Sequence, residues 1–136
     1  MDLFYSYASY FPYLGDWALA ALRAVLGIIF IAHGFPKAMS FRQTIQGFGG
    51  MGFKPGWFWG PFVTVVELGG GLLLLLGFWT PLAAFFLMGE FAVINFWKIF
   101  RREPLVGGFE LDLLILAGLF TLFAFGPGSF SLEYLL

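Results

Sequence analysis

The sequence predicts an all-α membrane protein, a four-transmembrane-helix antiparallel bundle with an N-terminal interfacial segment. Three observations lead to this fold class. The chain is 60% hydrophobic and only 11% charged, whereas a soluble domain is about half apolar and a quarter charged. Its apolar residues form four runs close to the ~20 residues that cross a bilayer. Most of the charged residues lie between or at the ends of these runs.

The four predicted spans cover residues 17–38, 58–78, 81–98 and 109–125. Gly126-Pro127-Gly128 follows the last span and is a strong helix-ending sequence. Spans two and three are joined by Gly77-Phe78-Trp79-Thr80, and so short a connection makes them antiparallel neighbours. Because four spans use most of the 136 residues, we expect a single integral membrane domain over residues 1–136.

Aromatic residues support this layout. Indole rings favour the membrane–water interface, and all five tryptophans fall at predicted span ends: Trp17, Trp57, Trp59, Trp79 and Trp97. Residues 1–16 are rich in Tyr and Phe and contain no Lys or Arg. They therefore lack the basic start of a cleavable signal peptide, and we expect them to lie along the interface.

Basic residues predict the orientation. Six of them border or occupy the first and third loops: Lys37, Arg42, Lys54, Lys98, Arg101 and Arg102. Cytoplasmic loops carry the excess of Lys and Arg. We therefore expect a multi-pass membrane protein whose first and third loops face the cytoplasm and whose termini both lie outside it.

Composition also excludes several function classes. Zero cysteines exclude redox dithiols, thiolate-held clusters and cysteine-rich zinc sites. A net charge of −1 with dispersed basic residues gives no sign of nucleic-acid binding, and the acids and the one histidine show no metal-ligand spacing. The glycine-rich stretch 47–53 lacks the Lys-Ser/Thr ending of a phosphate loop, so we expect a flexible interfacial or re-entrant loop.

Charged residues inside the spans are the main functional signal. Arg23, Glu67 and Glu90 each lie within an apolar run, where a charge costs at least about 2.5–3.5 kcal/mol on insertion scales. At a rise of about 1.5 Å per residue, both acids lie near the midplane and Arg23 on the order of 7 Å outside it. We therefore expect Arg23 to pair with Glu67 or Glu90, either to bind a ligand or relay protons or only to hold the helices together.

Further candidate residues lie toward one end of the bundle. His33 and Lys37 share a stripe of about 120° with Arg23 on the first helix, and depth places them level with Asp112 and Glu110 respectively. Each has a simpler interpretation: a backbone hydrogen bond for His33, snorkelling for Lys37, and helix-end electrostatics for the two acids. Small residues beside the charges predict close helix packing: Gly27, Gly34, Gly70 and Gly71.

These residues together resemble the DoxX family. The resemblance rests on Leu22-Arg23, Gly27 and Phe30-Ile31-Ala32-His33-Gly34-Phe35-Pro36-Lys37, on Val66-Glu67-Leu68-Gly69-Gly70-Gly71, and on Gly107-Gly108-Phe109-Glu110. It implies a four-helix inner-membrane protein, with relatives similar to the small subunit of thiosulfate:quinone oxidoreductase and others linked to redox or thiol stress. The family's motif positions map onto Arg23, His33, Gly34, Lys37, Glu67, Gly70 and Glu110. Two features depart from the family pattern. Members often have a histidine near the end of the third helix, where this chain reads Asn95-Phe96-Trp97-Lys98, and Glu90 is an acid that the pattern does not include.

Three functions stay open at this point. The first is a quinone-linked membrane subunit or anchor of an oxidoreductase complex, in which His33, Lys37 or Arg23 contacts a quinone and the chain is not catalytic alone. The second is a small proton-coupled transporter, because midplane acids beside Arg and His can relay charge. The third is a structural membrane scaffold. The expected partners are the lipid bilayer and a partner subunit or further copies of the chain, and the expected cofactor is quinone, with none held covalently or by metal.

Overall fold

The computed structural model describes residues 12–136, so the predicted interfacial segment lies for the most part outside the described residues. Within these residues six α-helices follow one another: α1 Leu14–Met39, α2 Phe41–Gly50, α3 Gly56–Leu76, α4 Thr80–Phe100, α5 Glu110–Phe125 and α6 Leu132–Leu135. A kinked turn, Leu105–Phe109, in which Val106 and Gly107 have non-helical backbone angles, precedes α5. Residues 12–136 contain no β-strand, which confirms the all-α prediction.

Among residues 12–136, four segments are long and apolar enough to cross a bilayer: α1, α3, α4 and Leu105–Phe125. The prediction of four spans is therefore confirmed, with differences of a few residues at the ends. The largest is at the fourth span, which begins at Leu105 and not at residue 109. Helix α1 already begins at Leu14, so residues 14–16 belong to the first helix and not to a separate interfacial segment.

The glycine-rich stretch does not form the flexible loop that was expected. Residues 47–50 continue helix α2, which packs along the beginning of α3. A Cβ built on Gly56 would lie 2.2 Å from the carbonyl oxygen of Ile45, so the two backbones are in direct contact there. Tertiary packing of this kind overrides the low helix propensity of glycine.

The bundle interior is formed by α1, α3, α4 and α5. Helix α1 packs most extensively against α3, and α4 against α5, while the α3–α4 contact joins the two pairs. The buried apolar core contains Leu26, Phe30, Leu74, Ala83, Ala84, Leu87, Phe91, Ile115, Leu119 and Leu122. The outward faces are apolar as well, with exposed side chains such as Val65, Phe85 and Phe120. A surface of this kind is suited to lipid contact.

The closest helix contact is between α1 and α3. A Cβ on Gly27 would lie 2.7 Å from the carbonyl oxygen of Gly71, and one on Gly71 would lie 2.9 Å from that of Gly27. Two helical turns further along α1, a Cβ on Gly34 would lie 2.8 Å from Cγ of Leu68 on α3. Glycine at these positions allows the two helices to approach backbone to backbone, as small residues do in membrane bundles.

The α3–α4 contact also uses a small residue. The Cβ of any side chain at Gly70 would lie 3.0 Å from Cδ1 of Leu87, which is fully buried. The short connection between Leu76 and Thr80 makes these two helices antiparallel neighbours, as its length predicts.

We expect Gly27→Ala to lower the thermal midpoint of the protein in detergent, because the added methyl group meets the α3 backbone and cannot be accommodated by a rotamer change. The cost is on the order of 1–3 kcal/mol, the usual range for overpacking. Gly69→Ala is the matched control, since no atom lies within 4 Å of a Cβ at that position. Equal midpoints for the two variants would contradict a tight α1–α3 contact.

Candidate functional site

An ion pair between Lys37 and Glu67 lies inside the helix bundle. Lys37 Nζ donates to both carboxylate oxygens of Glu67, at 2.7 Å each. The Glu67 side chain is 2% exposed and that of Lys37 is 28% exposed, so the lysine reaches inward from the end of α1 to a carboxylate that is fully enclosed. A charge-assisted contact of this geometry is stronger than a neutral hydrogen bond.

Helix direction explains why these two side chains meet. Side chains on an α-helix lean toward its N-terminus. Lys37 lies near the C-terminal end of α1 and therefore leans toward the middle of the bundle. Glu67 lies in the middle of α3, which is antiparallel to α1, and it leans toward the Lys37 end.

Glu90 completes the cluster from α4. Its carboxyl group lies beside that of Glu67 and near the Lys37 ammonium. Both of its oxygens are buried and have no hydrogen-bond partner among the described residues. Three helices thus contribute one basic and two acidic groups to one interior position, and we name Lys37, Glu67 and Glu90 the interior cluster.

The expected pairing of Arg23 with Glu67 or Glu90 is wrong. Arg23 is 3% exposed and its guanidinium donates to backbone carbonyls: Nε to Pro127 at 2.8 Å, Nη1 to Leu74 at 3.1 Å, and Nη2 to Phe130. The physical reason is again helix direction. Arg23 lies in the first half of α1 and leans toward the helix N-terminus, away from the two acids.

Arg23 instead fastens the C-terminal segment to the bundle. Leu74 belongs to the last turn of α3, whose free carbonyls carry the negative end of the helix dipole and favour a cation. Gly77 follows with a left-handed φ of 71°, and a Cβ there would lie 2.4 Å from Arg23 Nη1. The Ser129 N–H donates to Asp16 Oδ1, and the Glu133 N–H donates to the Gly77 carbonyl. Residues 126–133 therefore cover this end of the bundle.

His33 does not join the interior cluster. The residue is exposed, and its Nδ1 lies 2.7 Å from the carbonyl oxygen of Ile29, one turn earlier on the same helix. Arg23, Gly27 and Gly34 of the same helix are buried, and Lys37 is half-buried. His33 therefore lies at the edge of the stripe, and the geometry matches the simpler interpretation of a backbone contact.

The acids of α5 also lie outside the cluster. Glu110 is exposed, and its Oε1 accepts from the Gly107 N–H. Asp112 forms an ion pair with Lys98 of α4, and its carbonyl accepts from the buried Asn95 side chain. Lys37 contacts Glu67, so neither acid of α5 is its partner; the predicted match in depth of Lys37 with Glu110 and of His33 with Asp112 stays a prediction.

Two contributors escaped the sequence reasoning. Lys98 was used only as a topology signal, yet it is the partner of Asp112. Gly77 was taken as part of a turn, although its missing side chain also makes room for the Arg23 guanidinium. The lean of helical side chains toward the N-terminus could have identified Lys37 as the partner of Glu67. Among residues 12–136, no group of three or more His, Cys, Asp or Glu is arranged to hold a metal ion.

Comparison with known proteins identifies the family. The DoxX family model matches residues 18–98, which include all three members of the interior cluster. This chain belongs to the DoxX family. The inner membrane protein YqjF of Escherichia coli is 34% identical over 90% of this chain and 95% of its own length. The protein named "Putative oxidoreductase CatD" of Bacillus subtilis is 32% identical over 70% of this chain and 69% of its own length.

The resemblance to DoxX proteins in the sequence is thus confirmed. A further relative, inner membrane protein YphA of Escherichia coli, is 34% identical over 85% of this chain and 87% of its own length. No solved structure matches the chain.

We expect Arg23→Gln to release the C-terminal segment, because the neutral amide cannot replace three carbonyl contacts and leaves some of these oxygens without a donor. The loss in stability is on the order of 3 kcal/mol. Hydrogen exchange at the amides of Ser129 and Glu133 would report the release directly, as faster exchange than in the wild-type protein. Arg42→Gln, a change at an exposed position of α2, is the control. Unchanged protection of both amides in Arg23→Gln would show that the guanidinium does not hold this segment.

Proposed function

We propose that this DoxX-family protein is a quinone-linked membrane subunit or anchor of an oxidoreductase complex, and that the interior cluster is its quinone-contacting site. The observation that carries the proposal is the Lys37–Glu67 ion pair enclosed between α1 and α3, with the unpartnered Glu90 carboxyl beside it. Charged groups at this depth are costly and tend to mark functional sites.

The chemistry of the cluster suits a quinone headgroup. Its two carbonyl oxygens are hydrogen-bond acceptors, and the Lys37 ammonium is a donor that is already held in position by Glu67. Conversion of a quinone to a quinol takes up two electrons and two protons, one proton on each oxygen. Glu67 and Glu90 are groups that can hold and exchange protons at that position.

The electrons must come from another protein. The sequence has no cysteine and one histidine, and that histidine lies on the outer face of α1. A partner subunit that carries the redox centre, with this chain as its membrane anchor, supplies what the chain itself lacks. The name of the relative CatD, a putative oxidoreductase, supports this part of the proposal.

A lipid-facing groove lies beside the helix segments that carry Glu67 and Glu90, although neither carboxyl group lines it. It lies between α3 and α4, has a volume of about 200 Å³, and is lined by Val65, Val66, Gly69, Gly70, Leu73, Leu82, Ala83 and Phe86. Val66 and Gly70 flank Glu67 in the sequence, and Phe86 precedes Glu90 by one helical turn. An apolar ring with an isoprenoid tail could occupy such a groove and present its oxygens toward the carboxyl groups.

We further propose that the protein lies in the inner membrane, as the names of the two Escherichia coli relatives suggest for those proteins. The basic first and third loops would face the cytoplasm and both termini the opposite side.

The proposal predicts that quinone co-purifies with the protein from native membranes and is lost when the donor is removed. Lys37→Gln should reduce the bound quinone, measured by organic extraction and chromatography, by at least about tenfold, a loss of about 1.4 kcal/mol. Lys98→Gln is the matched control, because it breaks the other interhelical ion pair, with Asp112, outside the cluster. Equal quinone content in the two variants, or none in the wild-type protein, would count against quinone binding at Lys37.

A second candidate function, a proton-coupled transporter, is favoured by the unpartnered carboxyl of Glu90. In that case, reconstituted vesicles should show substrate-dependent proton movement that Glu90→Gln abolishes and Glu110→Gln retains. No proton movement across a broad substrate panel would argue against transport and leave the subunit proposal in place.

A further inference from the structure

We infer that the Glu67–Glu90 pair holds one exchangeable proton inside the bundle at neutral pH, so that Glu90 is a neutral carboxylic acid while Glu67 is the carboxylate bound to Lys37. This protonation site does not depend on quinone being the ligand. It follows from the burial, contacts and charge of three side chains on three different helices.

Burial is the first part of the argument. Neither Glu90 oxygen is accessible to solvent, and neither has a hydrogen-bond donor among the described residues. A carboxylate in such a position would lose its hydration without a compensating contact, which strongly favours the protonated form. The carboxylic acid is also the form that can donate a hydrogen bond of its own.

The charge balance is the second part. Lys37 Nζ contacts both oxygens of Glu67 symmetrically, at 2.7 Å, so its ammonium neutralises that carboxylate. If Glu90 were also ionised, the interior cluster would carry a net charge of −1 inside the bundle, where an uncompensated charge is costly. One proton on the pair restores neutrality.

The neighbouring groups define where this proton resides. The Glu90 carboxyl lies beside Glu67 from α3 and near Lys37 from α1. The acids of α5 lie outside the cluster, because Asp112 is bound to Lys98 and Glu110 is exposed. The one ammonium of the cluster is bound to Glu67, so the proton of the pair resides on Glu90, whose oxygens have no donor among the described residues.

Infrared spectroscopy of the full-length protein in lipid vesicles tests this inference. A carboxylic acid and a carboxylate absorb in separate regions, and the acid band shifts when the proton is exchanged for deuterium. At neutral pH, the wild-type spectrum minus that of Glu90→Gln should show the loss of one carboxylic acid band and no loss of carboxylate. Glu110→Gln, which alters an exposed acid, should show the loss of a carboxylate.

Lys37→Gln provides a second measurement that does not rely on removing Glu90. Without the ammonium, Glu67 has no counterion and should also become protonated, so the carboxylic acid band assigned to the pair should grow about twofold. Retained helical circular dichroism would show that each variant is folded. A carboxylate lost in Glu90→Gln, or a carboxylic acid band that is unchanged in Lys37→Gln, would overturn the inference.

Discussion

The contact between α1 and α3 at Gly27 and Gly71 determines the arrangement of the polar interior. The two backbones meet directly at these glycines, and the same interface continues through Gly34 to the Lys37–Glu67 ion pair. A larger side chain at either crossing residue would meet the facing backbone and force the helices apart at the crossing. The close approach and the ion pair are therefore one feature: glycine makes the interface narrow enough for a lysine at the end of one helix to enclose an acid in the middle of the other.

Arg23 and Lys37 both reach partners inside the bundle, and they are satisfied in different ways. The bilayer interior supplies no water, so each polar group there must find its partner within the protein. Arg23 has a planar guanidinium with several donors and contacts carbonyls from α3 and from the C-terminal segment. Lys37 is a compact charge on a flexible stem and binds a single carboxylate. The Arg23 contacts use all three guanidinium nitrogens and close one end of the bundle. The Lys37–Glu67 pair leaves the adjacent acid, Glu90, without a hydrogen-bond partner among the described residues.

Much of the fold could be predicted from the sequence, because span length and apolar content are local properties. The four membrane-spanning helices, the antiparallel α3–α4 pair and the family all follow from patterns within single segments. The course of residues 47–50 could not, since α2 owes its helix there to packing on α3. The charged residues inside the spans were identified correctly as buried, but their partners depend on which end of the bundle each side chain leans toward. Depth alone placed Arg23 within reach of Glu67. Because helical side chains lean toward the N-terminus of their helix, Arg23 points away from Glu67 and Lys37 points toward it.

The Arg23 contacts have a consequence for the order in which the protein assembles. Two of the carbonyls that bind its guanidinium, those of Pro127 and Phe130, lie 104 and 107 residues further along the chain. A ribosome makes them after all four spanning helices have been synthesised. The first helix therefore enters the lipid before these acceptors exist, and the bundle can close at that end only after residues 127–130 have been made.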